Sequence, residues 1–323
     1  MAVHKRKPWQ LPAAELTAEK IFHQRRQLIK SVGLLGIGAV GGMLPACGPA
    51  DDAVRLGAQE NPAAANLYPA PRSGQFRLDR PLTVEAYAAS YNNFYEFSVF
   101  KSRVYKNAAR LTTDPWQIEI AGLVPQPKIY DIDAWVRSFT LEERHYRLRC
   151  VEAWAMAVPW TGFPMAALIR KVAPLSAAKF VRFTTFLKPS QATNQSPAYG
   201  PWPYSEALTM AEAMNELTLL ATGIYGHPLP KQHGAPLRLV VPWKYGFKSI
   251  KAIEIIEFTD QQPQTFWHQI APTHHDFFAN VDPSVPHPQW SQETERDIET
   301  GERRKTILYN GYGDHVAHMY AKR

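Results

Sequence analysis

One cysteine, Cys150, is the residue of this chain best suited to redox or metal chemistry. The 323 residues include 2 cysteines, and the other, Cys47, lies in the N-terminal segment described below. An unpaired cysteine in an oxidising compartment cannot form an intramolecular disulfide, whereas its thiolate is a strong ligand for a soft metal. Position alone leaves metal ligation and burial as a small apolar residue equally open, because free cysteine is among the most buried residue types.

Two neighbours of Cys150 could share in its chemistry. Glu152 and Trp154 follow it at alternate positions. If residues 145–151 form a strand, the three side chains point to one face of the sheet. A carboxylate near a metal can relay protons, which oxygen-atom transfer coupled to electrons requires. The sequence therefore predicts a thiolate flanked by a carboxylate and an indole.

The N-terminal segment predicts the compartment. Arg25 and Arg26 precede a charge-free, glycine-rich stretch over residues 31–46. That stretch is shorter than the roughly 20 apolar residues of a membrane-spanning helix, and it suits the hydrophobic region of a cleaved signal. Residues 1–50 therefore resemble a twin-arginine transport signal, with an ordinary secretory signal or a membrane-surface helix as the alternative. Cys47 is either a lipid attachment point or is lost, with processing near Ala46 or Ala50 without lipidation as the alternative.

The charge balance gives no support for a nucleic-acid partner. The whole chain has a net charge of +7, but 29 basic and 27 acidic residues lie beyond residue 30, a net charge of +2. A nucleic-acid-binding domain is expected to keep a basic surface. Hydrophobic residues make up 45% of the chain, enough for a sizeable core.

Short strands and helices must position these residues. Alternation and β-branched or aromatic enrichment predict strands at 116–121, 145–151, 179–186, 236–241 and 250–258, with helices at 132–139, 164–172 and 208–215. Beyond the N-terminal segment at 1–50, neither a GxGxxG fingerprint nor a P-loop occurs. Residues 187–204 show no clear period and are a candidate active-site loop. We expect a mixed α+β chain with a poorly ordered lead-in at 51–80 and one domain at 81–323.

Five motifs, ordered along the chain, resemble one family. They occupy residues 91–97, 149–154, 158–160, 234–238 and 241–251. With the N-terminal signal, they are similar to the catalytic subunits of bacterial periplasmic protein-methionine-sulfoxide reductases, which are molybdopterin enzymes of the sulfite-oxidase fold family. The resemblance implies an α+β, sulfite-oxidase-like molybdopterin-binding fold with mixed β-sheets and short helices.

The same resemblance implies a set of site residues. Molybdenum would be held by Cys150 and by the dithiolene of one molybdopterin, with Asn93 and Glu152 as further candidate catalytic residues. The implied contacts to the pterin or its phosphate are Asn92, Tyr95, Glu96, Thr185, His233, Arg238, Ser249, Ile250 and Lys251. Asparagine and backbone groups match the amide-like edges of a pterin, and the cations Arg238 and Lys251 suit its phosphate. His233 stands where some relatives have asparagine, and either side chain can donate a hydrogen bond.

The implied function is repair of oxidised periplasmic proteins by reduction of methionine sulfoxide. The implied electron source is the quinone pool, through a haem-binding membrane subunit. The sequence carries no haem-attachment, flavin or iron–sulfur motif, so a redox partner is needed. The segment after Cys150 lacks the arginines that a dianionic sulfite would need, which favours a neutral sulfoxide. The alternatives are a reductase of small S- or N-oxides, a sulfite dehydrogenase-like molybdoenzyme, and a cofactor-free exported binding protein.

Overall fold

Twelve strands in two mixed sheets, with short helices between them, make up the described part of the chain, which in this computed structural model is residues 51–54 and 66–321. The strands are β1 (Gln117–Gly122), β2 (Lys128–Asp131), β3 (Glu142–Arg149), β4 (Trp154–Pro164), β5 (Phe180–Thr185), β6 (Ser205–Thr209), β7 (Leu219–Ile224), β8 (His227–Pro228), β9 (Arg238–Val240), β10 (Ile253–Thr259), β11 (Thr294–Asp297) and β12 (Arg303–Lys305). The α-helices are α1 (Glu85–Ser90), α2 (Val104–Ala108), α3 (Ile132–Val136), α4 (Met165–Val172), α5 (Met210–Met214), α6 (Phe266–Ile270) and α7 (Gly313–Val316). Short 3-10 turns include Lys101–Arg103, Lys231–His233 and Gly246–Lys248.

The first sheet has five strands in the order β2-β1-β10-β5-β6. β1 and β10 run parallel, and the other neighbours are antiparallel. Thr185 ends β5 opposite Ile253, the first residue of β10, so this edge of the sheet lies next to residues 249–252. The first sheet therefore supports one of the predicted cofactor-binding stretches.

The second sheet is built around β4. That strand pairs with β3 and β7 in antiparallel fashion and with β11 in parallel, while β9 pairs with β7. Its residues are buried from Trp154 through Phe163 because neighbours cover both of its faces. At Gly162 the backbone of β7 comes so close that a Cβ atom would lie 2.1 Å from the Leu220 carbonyl oxygen. The register shifts at that point, as expected where a glycine lies inside a strand.

The predicted elements agree with the structure where alternation is clear. β1 and β5 lie within one residue of the predicted bounds, and residues 187–204 contain no strand or helix. β10 begins at Ile253, three residues after the predicted start at 250. The predicted strand 145–151 is displaced, because β3 begins at Glu142 and ends at Arg149. The predicted helix 208–215 begins two residues late, at Met210, because Leu208 belongs to β6. β4 and β7 were not predicted; both are buried throughout and lack polar–apolar alternation.

Part of the segment expected to be a poorly ordered lead-in makes specific contacts. Tyr68 donates a hydrogen bond to the Thr222 hydroxyl at 2.7 Å, and Phe76 packs edge-on against Tyr146. Arg80 forms an ion pair with Glu295 at 2.8 Å. Residues 55–65 and the predicted signal at 1–50 lie outside the described residues.

Candidate active site

Cys150 lies in the tight turn that joins β3 to β4. Its backbone N–H donates to the Trp154 carbonyl at 2.9 Å, and the Ala153 N–H donates back to the Cys150 carbonyl at 3.0 Å. Ala153 adopts a left-handed conformation with φ of 63°, which is uncommon for a residue with a side chain and tends to occur at functional sites. The turn projects the Cys150 and Glu152 side chains together.

Three predicted catalytic residues meet at the Cys150 sulfur. Asn93 Nδ2 lies 3.3 Å from Sγ and 3.2 Å from Glu152 Oε2. The Glu152 backbone N–H donates to Sγ at 3.4 Å, and its carboxylate oxygen Oε2 lies 3.6 Å from Sγ. The expected grouping of thiol and carboxylate is present, but the predicted cause, a shared strand face, is wrong. The reversal of the chain at residues 150–153 produces it.

Lys101 is a member of this cluster that the sequence did not reveal. Its ammonium lies 3.0 Å from Glu152 Oε1 and 2.9 Å from Oε2. The Trp154 indole also donates to Oε2, at 3.3 Å, so the predicted indole does contact the cluster. Lys101 lies 51 positions from Glu152 in the chain, and no local motif connects them.

Burial and charge act in opposite directions on these groups. Burial raises the pKa of Glu152, but the Lys101 ammonium and the hydrogen bonds from Asn93 and Trp154 outweigh it, so that pKa is lowered. Burial, reinforced by the Glu152 charge, raises the pKa of the Cys150 thiol. This is the reverse of the lowered pKa of an activated cysteine nucleophile.

The predicted residues 92–96 lie beside this turn. The Asn92 side chain is buried and donates to the Ala88 carbonyl at 2.9 Å, while its Oδ1 has no partner among the described residues. Tyr95 stacks on Trp202 with ring centroids 5.7 Å apart. Burial raises the pKa of Glu96 to about 7, although the nearby Lys251 charge opposes the shift. This segment thus offers an unpaired amide oxygen, an aromatic wall and a buried acid.

A second group of predicted residues lies around β9 and the following loop. Arg238 donates to the carbonyl oxygens of His233 at 2.9 Å and Ser249 at 3.0 Å. Lys251 donates to the carbonyl oxygens of Asn93 at 2.8 Å and Gln232 at 2.7 Å. Lys251 therefore connects this second group to the Cys150 cluster.

The remaining predicted residues, Thr185, Ser249, Ile250 and His233, complete the second group. Thr185 donates to the Ala252 carbonyl at 2.8 Å, the Ser249 hydroxyl accepts from the Val241 N–H at 3.1 Å, and the Ile250 carbonyl accepts from Leu239 at 2.9 Å. His233 is buried and its Nε2 has no partner among the described residues. All twelve predicted site residues therefore fall into two linked groups, one at the turn and one around β9.

Gly234 makes the link between these groups possible. Its φ is +100°, and a Cβ atom there would lie 2.6 Å from Lys251 Cβ. A larger residue would therefore be strained and would push Lys251 away. The glycine lets the chain after Lys231–His233 lie directly against Lys251.

One buried cation, Arg238, and one half-buried cation, Lys251, give this second group its electrostatic character. Neither Arg238 nor Lys251 forms an ion pair with a carboxylate of the described residues. Burial lowers the pKa of Arg238 to about 9, and burial together with the Arg238 charge lowers the pKa of Lys251. Buried charges are normally paired, so this pair fits an anionic group such as a phosphate. The unpartnered Asn92 Oδ1 and His233 Nε2 fit a polar heterocycle.

A metal at Cys150 would need ligands beyond the described side chains. No group of three or more His, Cys, Asp or Glu residues in residues 51–54 and 66–321 could hold a metal ion. A metal site at Cys150 is therefore unlike a zinc centre, in which protein side chains supply all the ligands. A single thiolate completed by the sulfur atoms of a cofactor is consistent with the observed donors.

Comparisons with known proteins show the family to which this chain belongs. Residues 105–267 match the model of the oxidoreductase molybdopterin binding domain. The catalytic subunit MsrP of the protein-methionine-sulfoxide reductase of Burkholderia mallei is 47% identical over 96% of this chain and 93% of its own length. The MsrP subunit of Ralstonia nicotianae is 44% identical over the same shares. The sulfane dehydrogenase SoxCD of Paracoccus pantotrophus aligns at 14% identity with a TM-score of 0.48, over 78% of this chain and 67% of that one.

The fold and the site therefore define a molybdopterin-binding oxidoreductase. The expected α+β, molybdopterin-binding fold with mixed sheets and short helices is confirmed. Within that class, the chain belongs to the family of protein-methionine-sulfoxide reductase catalytic subunits. Within residues 51–54 and 66–321, the helices are too short or too polar to cross a membrane.

Proposed function

We propose that this chain reduces methionine sulfoxide in oxidised proteins, using molybdenum bound to one molybdopterin. The observation that carries the proposal is the position of Cys150, whose sulfur lies within 3.6 Å of Asn93 and Glu152 in a turn. The buried Arg238 and the half-buried Lys251 lie in the adjoining group of predicted residues. Relatives that share nearly the whole chain carry this activity in their names.

The residues present fit the cofactor. Cys150 would bind the metal, and Arg238 and Lys251 would balance the phosphate charge. Polar contacts to the pterin would come from Asn92, Tyr95, Glu96, Thr185, His233, Ser249 and Ile250. When bound, the cofactor supplies the two-electron redox couple for oxygen-atom transfer.

The chain itself contributes proton handling and orientation. Reduction of a sulfoxide to a thioether consumes two electrons and two protons and releases water. The Glu152 side chain is 35% exposed, and its carboxylate lies 3.6 Å from the Cys150 sulfur. Glu152 is therefore placed to carry protons between solvent and the site. Asn93 donates to both the sulfur and the carboxylate and holds their relative positions.

The surroundings favour an uncharged substrate with an apolar side chain. Arg149 is fully buried, and its guanidinium contacts Glu295, Gln292 and the carbonyl oxygen of Cys150. Its guanidinium is thus unavailable to a sulfite dianion. Lys101, the cation beside Glu152, is neutralised by that carboxylate. Tyr91, edge-on to Trp154, and the half-buried Val151 add apolar surface near the turn, which suits a methionine sulfoxide side chain.

The proposed function implies a cellular location and partners. We propose export to the periplasm by the twin-arginine machinery, with residues 1–50 as the signal and 81–323 as a single catalytic domain. Oxidised periplasmic proteins would be the substrates. A haem-binding membrane subunit would deliver electrons from the quinone pool.

The test measures metal content and substrate choice on one purified sample. We expect about one molybdenum per chain by elemental mass spectrometry, and reduction of methionine sulfoxide with an artificial one-electron donor. Sulfite oxidation should be negligible. Efficient sulfite turnover would favour a sulfite dehydrogenase-like enzyme, and activity on small S- or N-oxides alone would favour the reductase of small oxides. A metal-free, inactive protein would favour the binding protein.

A further inference from the structure

The Lys101–Glu152 ion pair is the part of the Cys150 cluster to which no role has been given. Lys101 Nζ contacts both carboxylate oxygens, at 3.0 and 2.9 Å, and its side chain is only 20% exposed. Oε2 also accepts hydrogen bonds from Asn93 and Trp154. With donors on both oxygens, the carboxylate is held in one orientation.

Lys101 also holds the neighbouring segment. Its carbonyl oxygen accepts a hydrogen bond from the Asn92 N–H at 3.3 Å. Asn93, the next residue, bridges the Cys150 sulfur and Glu152. One residue thus fixes the carboxylate through its side chain and the start of residues 92–96 through its backbone.

The charge arrangement explains why a cation is needed at this position. When Cys150 is a metal-bound thiolate, two anionic groups lie 3.6 Å apart, and like charges so close repel each other. The Arg149 guanidinium donates to the Cys150 carbonyl and contacts Glu295 and Gln292, and it does not contact the Glu152 carboxylate. Among the described residues, Lys101 is the cation that contacts the Glu152 carboxylate. Without it, Asn93 and Trp154 would still hold Oε2, but Oε1 would lose its donor and the partly exposed carboxylate would be less firmly held.

We propose that Lys101 is a positioning residue, which holds Glu152 beside the Cys150 sulfur. The role rests on the proposed function, since it acts on a carboxylate that serves the metal site. The Lys101 ammonium contacts the Glu152 carboxylate and makes no hydrogen bond to the Cys150 sulfur. Its positioning effect therefore acts through Glu152.

The experiment compares Lys101→Met, Lys101→Arg, Glu152→Gln and the double variant Lys101→Met/Glu152→Gln in the cofactor-loaded enzyme. We expect Lys101→Met to lower kcat by ~10- to 100-fold, the usual effect of losing a residue that orients a metal-site group, with little change in KM. Lys101→Arg should restore most of the activity, because a guanidinium also binds a carboxylate. In the Glu152→Gln background, Lys101→Met should cause no further loss.

A readout independent of turnover accompanies the kinetics. The paramagnetic resonance spectrum of the one-electron-reduced metal should change in Lys101→Met and return towards normal in Lys101→Arg, at an unchanged molybdenum-to-protein ratio. Lys106→Met is the matched control, since Lys106 is exposed nearby and forms no ion pair with the described carboxylates; it should leave kcat and spectrum unchanged.

Several outcomes would overturn the proposal. A normal kcat or an unaltered spectrum in Lys101→Met would do so. So would an equally large fall in kcat when Lys101→Met is added to Glu152→Gln. Loss of molybdenum from Lys101→Met would assign Lys101 to the fold. If the unmodified protein holds no molybdenum or does not reduce methionine sulfoxide, the proposed function fails, and the positioning role fails with it. The unmodified sample therefore distinguishes the two failures.

Discussion

At the scale of single residues, the site combines groups that are costly to bury with contacts that make the burial tolerable. Arg238 is a buried cation and Lys251 a half-buried one, and main-chain carbonyl oxygens accept hydrogen bonds from both. Those carbonyl groups supply partial negative charge but do not neutralise a full positive charge. An anionic ligand would therefore stabilise the folded chain as well as being held by it.

Replacement of Cys150 by serine distinguishes its two possible roles, a small buried apolar residue or a metal ligand. If Cys150 were only a small buried apolar residue, the new hydroxyl would cost about 1–3 kcal/mol of folding free energy and leave activity almost intact. If it binds molybdenum, the harder oxygen donor changes the electronics of the metal, and turnover should fall by at least ~100-fold. Molybdenum content and turnover are measured on the same sample. Normal values of both would show that Cys150 is not the ligand.

At the scale of elements, buried ion pairs fasten the loop that precedes Ser249. Lys248 Nζ lies 2.7 Å from Glu206 Oε2 of β6, and both side chains are buried. Lys244 pairs with Glu212 of α5 at 2.6 Å. These contacts tie residues 244–248 to the end of the first sheet. The loop that carries Ser249, Ile250 and Lys251 therefore begins from a fixed position.

Breaking one of these pairs should be expensive. Lys248→Met leaves Glu206 buried without its cation, so we expect a loss of about 3–5 kcal/mol in the free energy of unfolding. The matched control is Lys188→Met, because the Lys188–Glu254 pair is about a third exposed at 3.3 Å and should contribute under about 1 kcal/mol. Urea unfolding of the purified variants measures both. Equal losses would contradict the expected dependence on burial.

A pH-dependent contact joins α1 to β8. Burial opposes the charge on His227, but hydrogen bonds to Glu85 and to the Pro228 carbonyl outweigh it, so the pKa of His227 is raised above 6.5. A raised pKa in the folded state gives stability that is fully present below about pH 6.5 and is lost as pH rises through the folded pKa. His227→Gln should therefore destabilise the protein at about pH 5.5 and much less at about pH 9. Both side chains are partly exposed, so the loss should not exceed ~1 kcal/mol. An equal loss at both values would contradict the prediction.

The elements also show what a single sequence can and cannot reveal. β1 and β5 were predictable because their residues alternate or are rich in β-branched types. β4 was not, because it is covered on both faces and contains Pro159, which normally argues against a central strand. The pairing of Lys101 with Glu152 depends on tertiary contact alone. Cys150 was found because an exported chain rarely keeps an unpaired cysteine without a use.

At the scale of the whole molecule, the candidate site exists only once distant parts of the chain have come together. Three regions that are far apart in sequence form it: residues 92–96, the turn at 150–153 and the stretch 233–251. Asn93, in the first region, contacts the other two through Cys150 and Lys251. If a pterin contacts all three, as proposed, it can bind only to a folded chain. Loading would then accompany or follow folding.

This dependence on folding makes the export route testable. If the cofactor is inserted in the cytoplasm, the folded chain must cross the membrane, and the paired Arg25 and Arg26 would be the address read by the transport receptor. Lysine keeps the charge but not the planar guanidinium, so Arg25→Lys combined with Arg26→Lys should leave cofactor-loaded precursor in the cytoplasm. Both positions lie outside the described residues. Cell fractionation with immunoblotting measures the distribution, with Arg6→Lys as the control outside the pair. Unimpaired export of the double variant would contradict the twin-arginine prediction, while leaving the assignment of Cys150 untouched.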